Sequence, residues 1–211
     1  MPQNYNYCLL LVKNYQVFFL SLAIEKKSKY LMEIIKTPIL GLLVISPNVF
    51  GDERGHFFES WSKKAYQNIG LDLDFVQDNQ SLSQKGVLRG LHFQNPPFAQ
   101  GKLVRVIKGS VIDVSVDIRK DSKTYGKHFS IELSEENKKV VWIPPGFAHG
   151  FFTLENDTIF TYKCTGVYNK DSEGALLWND PELNIYWGVE RPLVSEKDLI
   201  AGNFNDFKSQ F

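Results

Sequence analysis

Cysteine is scarce: Cys8 and Cys164 are the only two in 211 residues. They lie far apart and form no CxxC pair, which argues against a disulfide scaffold and a cysteine zinc site and fits a reducing cytoplasm. Histidine is limited to His56, His92, His128 and His149. Neither sign of charge predominates, since 24 Lys plus Arg balance 24 Asp plus Glu. No overall field therefore holds the chain on nucleic acid or on an acidic membrane. Long apolar runs are missing as well. The stretch Val17 to Ile24 is far shorter than the roughly 20 residues a spanning helix needs, so no membrane segment is expected. What is present is enough for a core: 43% of residues are hydrophobic and 23% charged, outside the range of disordered chains.

The chain divides unevenly. In residues 1–31 an apolar stretch is broken by Lys13, Asn14 and Gln16 and followed by Glu25, Lys26, Lys27 and Lys29. Ile24-Glu25-Lys26-Lys27 makes a poor signal-peptide cleavage site. This segment is expected to be a dispensable extension or a wrongly assigned start, with Met32 as the functional beginning. Residues 32–211 then form one domain of ordinary size, carrying three more acids than bases.

From Met32 the pattern is short strands of period two separated by Gly, Pro, Asn and Asp. Strands are expected at 39–45, 57–61, 75–81, 87–94, 101–108, 111–118, 128–133, 139–143, 149–154 and 158–165. One helix is expected over 62–70, with Ser62 as N-cap and Gly70 as stop. Spacing of 8–12 residues between strands is that of a sandwich or barrel, so the fold is expected to be an all-β antiparallel jelly roll with few short helices. In Val111 to Ile118 apolar residues alternate with Asp113, Ser115 and Asp117, giving one buried and one polar face. Lys108-Gly109-Ser110 reads as a hairpin turn. The tail from Leu176, with Trp178, Tyr186 and Trp187, is expected to pack across a barrel opening.

Two histidines stand out chemically. His92 lies three residues from Arg89 in Leu88-Arg89-Gly90-Leu91-His92-Phe93-Gln94. Alternation puts the two on opposite faces unless Gly90 introduces a bulge. His149 follows the rigid turn Pro144-Pro145-Gly146, a spacing similar to the second motif of cupin barrels. Cupin metal sites draw on an HxH pair and further ligands, whereas here the residue two after His92 is Gln94. The barrel is expected to work without metal.

The body also carries Val49 to Gly55 with Phe58-Glu59-Ser60, Phe75 to Asn79, Leu88 to Gln94, Gln100 to Arg105, Asp113 to Arg119, Trp142 to Phe151, Thr161-Tyr162-Lys163 and Leu177 to Asp180. Over Met32 to about Asp198 these segments resemble the dTDP-4-dehydrorhamnose 3,5-epimerase family, cupin-like jelly rolls of dTDP-L-rhamnose biosynthesis. The resemblance implies a cofactor-independent isomerase acting on a dTDP-linked 4-keto-6-deoxyhexose, at carbons acidified by the neighbouring C4 ketone. It implies His92 as base, Asp198 as the carboxylate holding its imidazole, Tyr162 as general acid and Lys102 beside the enolate oxygen. It further implies Arg54 and Arg89 as diphosphate and sugar contacts, with His149, Glu59, Gln77, Asn79, Glu173 and Lys197 also touching substrate. Phe50 and Tyr168 are the implied stacking partners of the thymine. Family members are dimers that exchange N-terminal strands, so Phe50, Arg54 and Glu59 are expected to serve the neighbouring subunit's site. The loop after Tyr162 departs from the family pattern at Gly166 and Val167, which bears on nucleotide-base and sugar preference.

Three other readings compete. One is an epimerase acting at a single carbon or on another 4-keto-6-deoxy nucleotide sugar. Another is a metal-dependent cupin, which metal analysis would reveal. The third is a sugar-nucleotide binding module without chemistry, against which the presence of both proton-transfer residues speaks.

Overall fold

The computed structural model describes residues 32–211, and the readings made for 1–31 lie outside the described residues. Thirteen strands are described: β1 Met32–Lys36, β2 Leu43–Pro47, β3 Phe50–Asp52, β4 Gly55–Phe57, β5 Gln77–Ser83, β6 Leu88–Gln94, β7 Lys102–Lys108, β8 Ser110–Asp117, β9 His128–Ser134, β10 Val140–Ile143, β11 Phe147–Thr153, β12 Thr158–Cys164 and β13 Glu173–Ala175. Two short helices, α1 Lys63–Asn68 and α2 Glu196–Leu199, complete the set with two 3₁₀ turns. The strands form a six-stranded sheet in the order β1-β2-β10-β7-β12-β5, a five-stranded sheet β13-β6-β11-β8-β9, and the separate hairpin β3-β4. Every pairing within them is antiparallel, and the whole is a jelly roll.

Three apolar clusters hold the layers together. Between the sheets lie Val44, Val104, Val106, Val111, Leu133, Phe147, Phe151 and Phe160. The outer face of the six-stranded sheet, with Ile45, Leu103, Val140 and Trp142, is covered by Trp61, Tyr66, Leu71, Leu73 and Phe75. Ser62 caps α1, its hydroxyl accepting from the Ala65 N–H at 3.4 Å, and this orients Tyr66 onto that face. The outer face of the five-stranded sheet, with Leu88, Leu91, Phe93, Val114 and Val116, is covered by Trp178, Leu183, Trp187, Phe204 and Phe207. Leu88 and Leu91, at 1% and 0% exposed beneath one of these covers, each contribute roughly 1.5–3 kcal/mol by burial, so the covers are structural rather than accessory.

Several expectations are corrected. Residues 39–42 form a turn, not the start of a strand, because the Thr37 hydroxyl bonds the Ile39 and Leu42 carbonyls at 3.0 and 2.8 Å and closes the chain on itself. Residues 58–61 leave the sheet after β4, taking Trp61 to the outer cluster. The turn at Lys108-Gly109-Ser110 is no hairpin, since β7 and β8 belong to different sheets and the chain crosses between them there. The polar face of β8 is buried too: Asp113, Ser115 and Asp117 are at most 1% exposed, because that face looks into the barrel. The tail from Leu176 lies on the outer sheet face, and only its 193–198 segment reaches an opening of the barrel.

Asp117 ties the end of β8 to the following loop. Its carboxylate accepts from Arg119 Nε and Nη2 at 2.8 and 2.7 Å, and from the Ser122 and Thr124 hydroxyls, each at 2.6 Å. Burial works against ionisation, but these donors prevail and hold its pKa at about 2, against an ordinary 3.8. A depressed carboxylate stabilises the fold above its unfolded pKa and loses that contribution as pH falls through the folded one. Asp117→Asn is therefore expected to lose at least about 2 kcal/mol at neutral pH. The gap from the wild type should close between pH 3.8 and about 2, as followed by urea unfolding across that range.

Candidate active site

A cavity of about 540 Å³ opens between the two sheets, lined among others by Arg89, His92, Lys102, His149, Tyr162, Lys197 and Asp198. Arg89 and His92 share it because β6 carries a bulge. His92 pairs with His149 and Arg89 with Phe151, so Gly90 and Leu91 together stand opposite Gly150 alone. The extra residue changes the alternation, turning Leu88, Leu91 and Phe93 outward and Arg89 and His92 inward. Only glycines allow this approach. A Cβ on Gly90, whose φ is +126°, would lie 2.5 Å from Gly150 Cα, and one on Gly150 would lie 2.7 Å from the Arg89 carbonyl oxygen. Arg89 is then anchored by its Nε, which donates to the Ser83 hydroxyl at 3.1 Å.

His92 Nε2 lies 2.6 Å from Asp198 Oδ1. The Asp198 side chain is 4% exposed and that of His92 33%, so the carboxylate is sealed behind an imidazole that faces the cavity. Ser195 caps α2 and fixes Asp198, whose second oxygen accepts from the Gly90 N–H at 3.4 Å. Burial pushes the Asp198 pKa up, but the His92 contact and the hydrogen bonds from Gly90 and Ser195 outweigh it and leave it below the ordinary value. Since a carboxylate only accepts, Nε2 of His92 carries the proton and Nδ1 is left as the basic atom.

The facing wall comes from the six-stranded sheet. Tyr162 on β12 has its pKa raised, chiefly by burial, with Cys164 adding and Arg89 opposing. Its phenol thus stays protonated near neutrality. Lys102 on β7 lies with Nζ 5.9 Å from the centre of the Tyr162 ring. Burial lowers the Lys102 pKa, while Cys164, Asp113 and Glu173 pull it back up.

A second imidazole–carboxylate pair sits beside the first. His149 Nε2 lies 2.7 Å from Asp113 Oδ2, both residues are buried, and the His149 ring stacks on Phe160 at 6.1 Å. Asp113 was not foreseen as a site residue. The available signal is an acid in an otherwise apolar strand, whose partner lies 36 positions away in sequence and adjacent only after β8 and β11 pair. Phe160, Ser81, Leu193 and Val194 also line the cavity without any sequence signal of their own.

Gln77, Asn79, Tyr168 and Glu173 do not line the cavity but form a linked group that reaches it through Lys197. Gln77 Nε2 donates to Asn79 Oδ1 at 3.0 Å, and Gln77 Oε1 accepts from the Tyr168 N–H at 2.8 Å. The Tyr168 hydroxyl donates to Glu173 at 3.0 Å, and Glu173 also pairs with Lys197. Phe50, Arg54 and Glu59 do not join this cavity in the single chain: the hairpin β3-β4 and its flank are exposed, with Phe50 56% and Phe57 67% accessible and Arg54 paired to Asp52 at 2.5 Å. Among the described residues no three His, Cys, Asp or Glu side chains cluster as a metal site. No helix among them is long and apolar enough to cross a membrane.

Comparison with known proteins agrees with this geometry. The chain matches the dTDP-4-dehydrorhamnose 3,5-epimerase family over residues 36–206. The protein of that name from Shigella flexneri is 52% identical over 176 residues, spanning 83% of this chain and 97% of its own. A crystal structure of dTDP-6-deoxy-D-glucose-3,5-epimerase from Legionella pneumophila, in complex with dTDP-4-keto-L-rhamnose, superposes with a TM-score of 0.80 at 49% identity and covers 84% of this chain and 95% of that one. A 3′-monoepimerase from Streptomyces bikiniensis, in complex with dTDP-quinovose, superposes with a TM-score of 0.75 at 30% identity, over 79% of this chain and 85% of that one. A jelly roll with a shared cavity, a buried imidazole–carboxylate pair and a matching sequence over most of its length places the chain in the dTDP-4-dehydrorhamnose 3,5-epimerase family.

Proposed function

We propose that the protein converts dTDP-4-dehydro-6-deoxy-D-glucose to dTDP-4-dehydro-L-rhamnose by removing and returning protons at C3 and C5. The observation that carries the mechanism is that His92 and Tyr162 belong to different sheets and line opposite walls of one cavity. Inversion demands that a proton leave one face of the sugar and return to the other. Each C–H bond flanks the C4 ketone, so its loss gives an enolate rather than a bare carbanion. Nδ1 of His92 takes the proton, and Asp198 stabilises the imidazolium that results. Lys102 supplies positive charge to the enolate oxygen, and the Tyr162 phenol delivers the new proton from across the cavity. Arg89, His149 and Lys197 hold the sugar and diphosphate, the arginine fork being suited to phosphate oxygens. Tyr168 offers a flat face to the thymine, with Gln77, Asn79 and Glu173 around it. No cofactor or metal takes part in these steps.

The proposal includes a homodimer in which hairpin β3-β4 reaches the neighbouring site, bringing Phe50, Arg54 and the nearby Glu59. Its support is the exposure of Phe50 and Phe57 on a hairpin that pairs with neither main sheet. Reaction in the cytoplasm accords with the free thiol of Cys164.

The test is incubation with dTDP-4-dehydro-6-deoxy-D-glucose in D₂O, reading deuterium at each carbon by NMR. Label at both C3 and C5 with formation of the L-lyxo sugar is expected. Label at one carbon would instead identify a mono-epimerase, and no label would remove this substrate. Tyr162→Phe is expected to keep proton abstraction but to slow inversion, so that label enters without change of configuration and the two epimerisations are impaired unequally. An unchanged product ratio would exclude the acid role.

A further inference from the structure

We infer that Gln94 is a positioning residue for nucleotide binding, the central member of a clasp of three glutamines that fixes the backbone on which Tyr168 is carried. The inference rests on the proposed stacking of Tyr168 on the nucleotide base. Gln94 stands two residues after His92 on β6, is 6% exposed, and spends its amide entirely on two loops. Its Nε2 donates to the Phe98 carbonyl at 2.7 Å and to the Val167 carbonyl at 3.1 Å, and its Oε1 accepts from the Asn169 N–H at 2.7 Å. Val167 and Asn169 flank Tyr168 on either side. The Tyr168 N–H itself donates to Gln77, and the Gly166 carbonyl accepts from Gln100 Nε2 at 2.7 Å. Four consecutive residues, 166–169, are thus each held by a glutamine side chain from another part of the chain.

The arrangement has a physical purpose. Residues 166–169 belong to no strand or helix, so strand pairing does not order their backbone. Tyr168 is itself 55% exposed and gains little from packing. A ring that is to accept a base needs a fixed platform, because otherwise the base must immobilise the loop and affinity falls by that entropy. Three amides anchored on β5, on β6 and beside β7 do this before substrate arrives. Gln94 alone grips both sides of Tyr168, and it also joins them to the 95–100 loop. Its origin on the strand of His92 links the nucleotide platform to the proton-transfer wall through one rigid element.

The expected signature is a change in binding with little change in chemistry. Gln94→Leu should raise the dissociation constant for dTDP, measured by isothermal titration, by about tenfold, the loss of roughly 1.4 kcal/mol. KM for the sugar nucleotide should rise in parallel, while kcat at saturation stays within about threefold. A substitution that merely damaged the fold would lower kcat as well. Tyr168→Ala provides the second axis: if Gln94 acts through Tyr168, Gln94→Leu should add little further weakening on that background. Gln100→Ala, which removes only the Gly166 contact, should give a smaller shift of the same kind and serves if Gln94→Leu does not fold. Unchanged dTDP affinity in both glutamine variants, or fully additive effects with Tyr168→Ala, would overturn the inference. Failure of Tyr168→Ala to weaken dTDP would overturn the stacking reading beneath it, a result distinguishable from failure of the clasp.

Discussion

His92→Ala is expected to lower turnover by roughly 10²–10⁴-fold, the contribution of a positioned base, and to abolish deuterium exchange at both carbons. dTDP binding should change little, since the side chain lies at the cavity surface, while stability should fall because the buried Asp198 carboxylate loses its partner. Asp198→Asn makes the companion measurement. An amide can donate where the carboxylate could only accept, so it allows Nε2 of His92 to lose its proton and Nδ1 to keep it, which presents the wrong tautomer to the substrate. Turnover should fall there too, with the imidazole still in place. Normal activity in His92→Ala would remove that residue from the mechanism.

Lys102→Met should cost about 10²–10³-fold in kcat, the usual worth of an oxyanion-stabilising group, with a much smaller effect on KM. Its pH dependence gives a second handle. Burial holds the Lys102 pKa below the ordinary 10.5, so the ammonium is lost at lower pH than on a surface lysine. Tyr162 moves the other way and keeps its proton beyond pH 10. The alkaline fall in wild-type kcat should therefore begin below pH 10.5 and be set by Lys102, and that limb should vanish in Lys102→Met. A limb that persists unchanged would assign it to another group.

The strands of the two main sheets were largely readable from alternation and turn residues, most of them to within two positions. The departures have local causes. Strand β1, Met-Glu-Ile-Ile-Lys, shows no clear period-two alternation, and β13 is only three residues long. The turn at 39–42 looks like a strand because Ile39, Leu40 and Leu42 run apolar into Leu43-Val44-Ile45, yet the Thr37 hydroxyl closes it. In β8 the polar residues were visible, but alternation says only that two faces differ, not which one meets water. The tail over 176–207 supplies the apolar cover, and so the polar face turns inward. For the site, the imidazoles could be picked out but not their neighbourhood. Gly90 signalled that His92 and Arg89 could meet, whereas the pairing of His149 with Asp113 depends on a strand register that no local pattern encodes. The hold of Gln77, Gln94 and Gln100 on 166–169 was not legible for the same reason, since it exists only once the loops converge.

The inverted polarity of β8 divides the molecule's duties. Its outward side chains, Val114 and Val116, lie under Trp178 and Trp187, while its inward ones, Asp113 and Ser115, face the barrel interior. The outer shell and the carboxylate that holds His149 thus draw on alternate positions of the same strand. Substitutions at Val114 or Val116 are therefore expected to act on the apolar shell, and one at Asp113 on the orientation of His149 at the cavity wall. The register of this one strand thus sets two things at once, the fit of the tail on the outer face and the aim of an imidazole on the inner one.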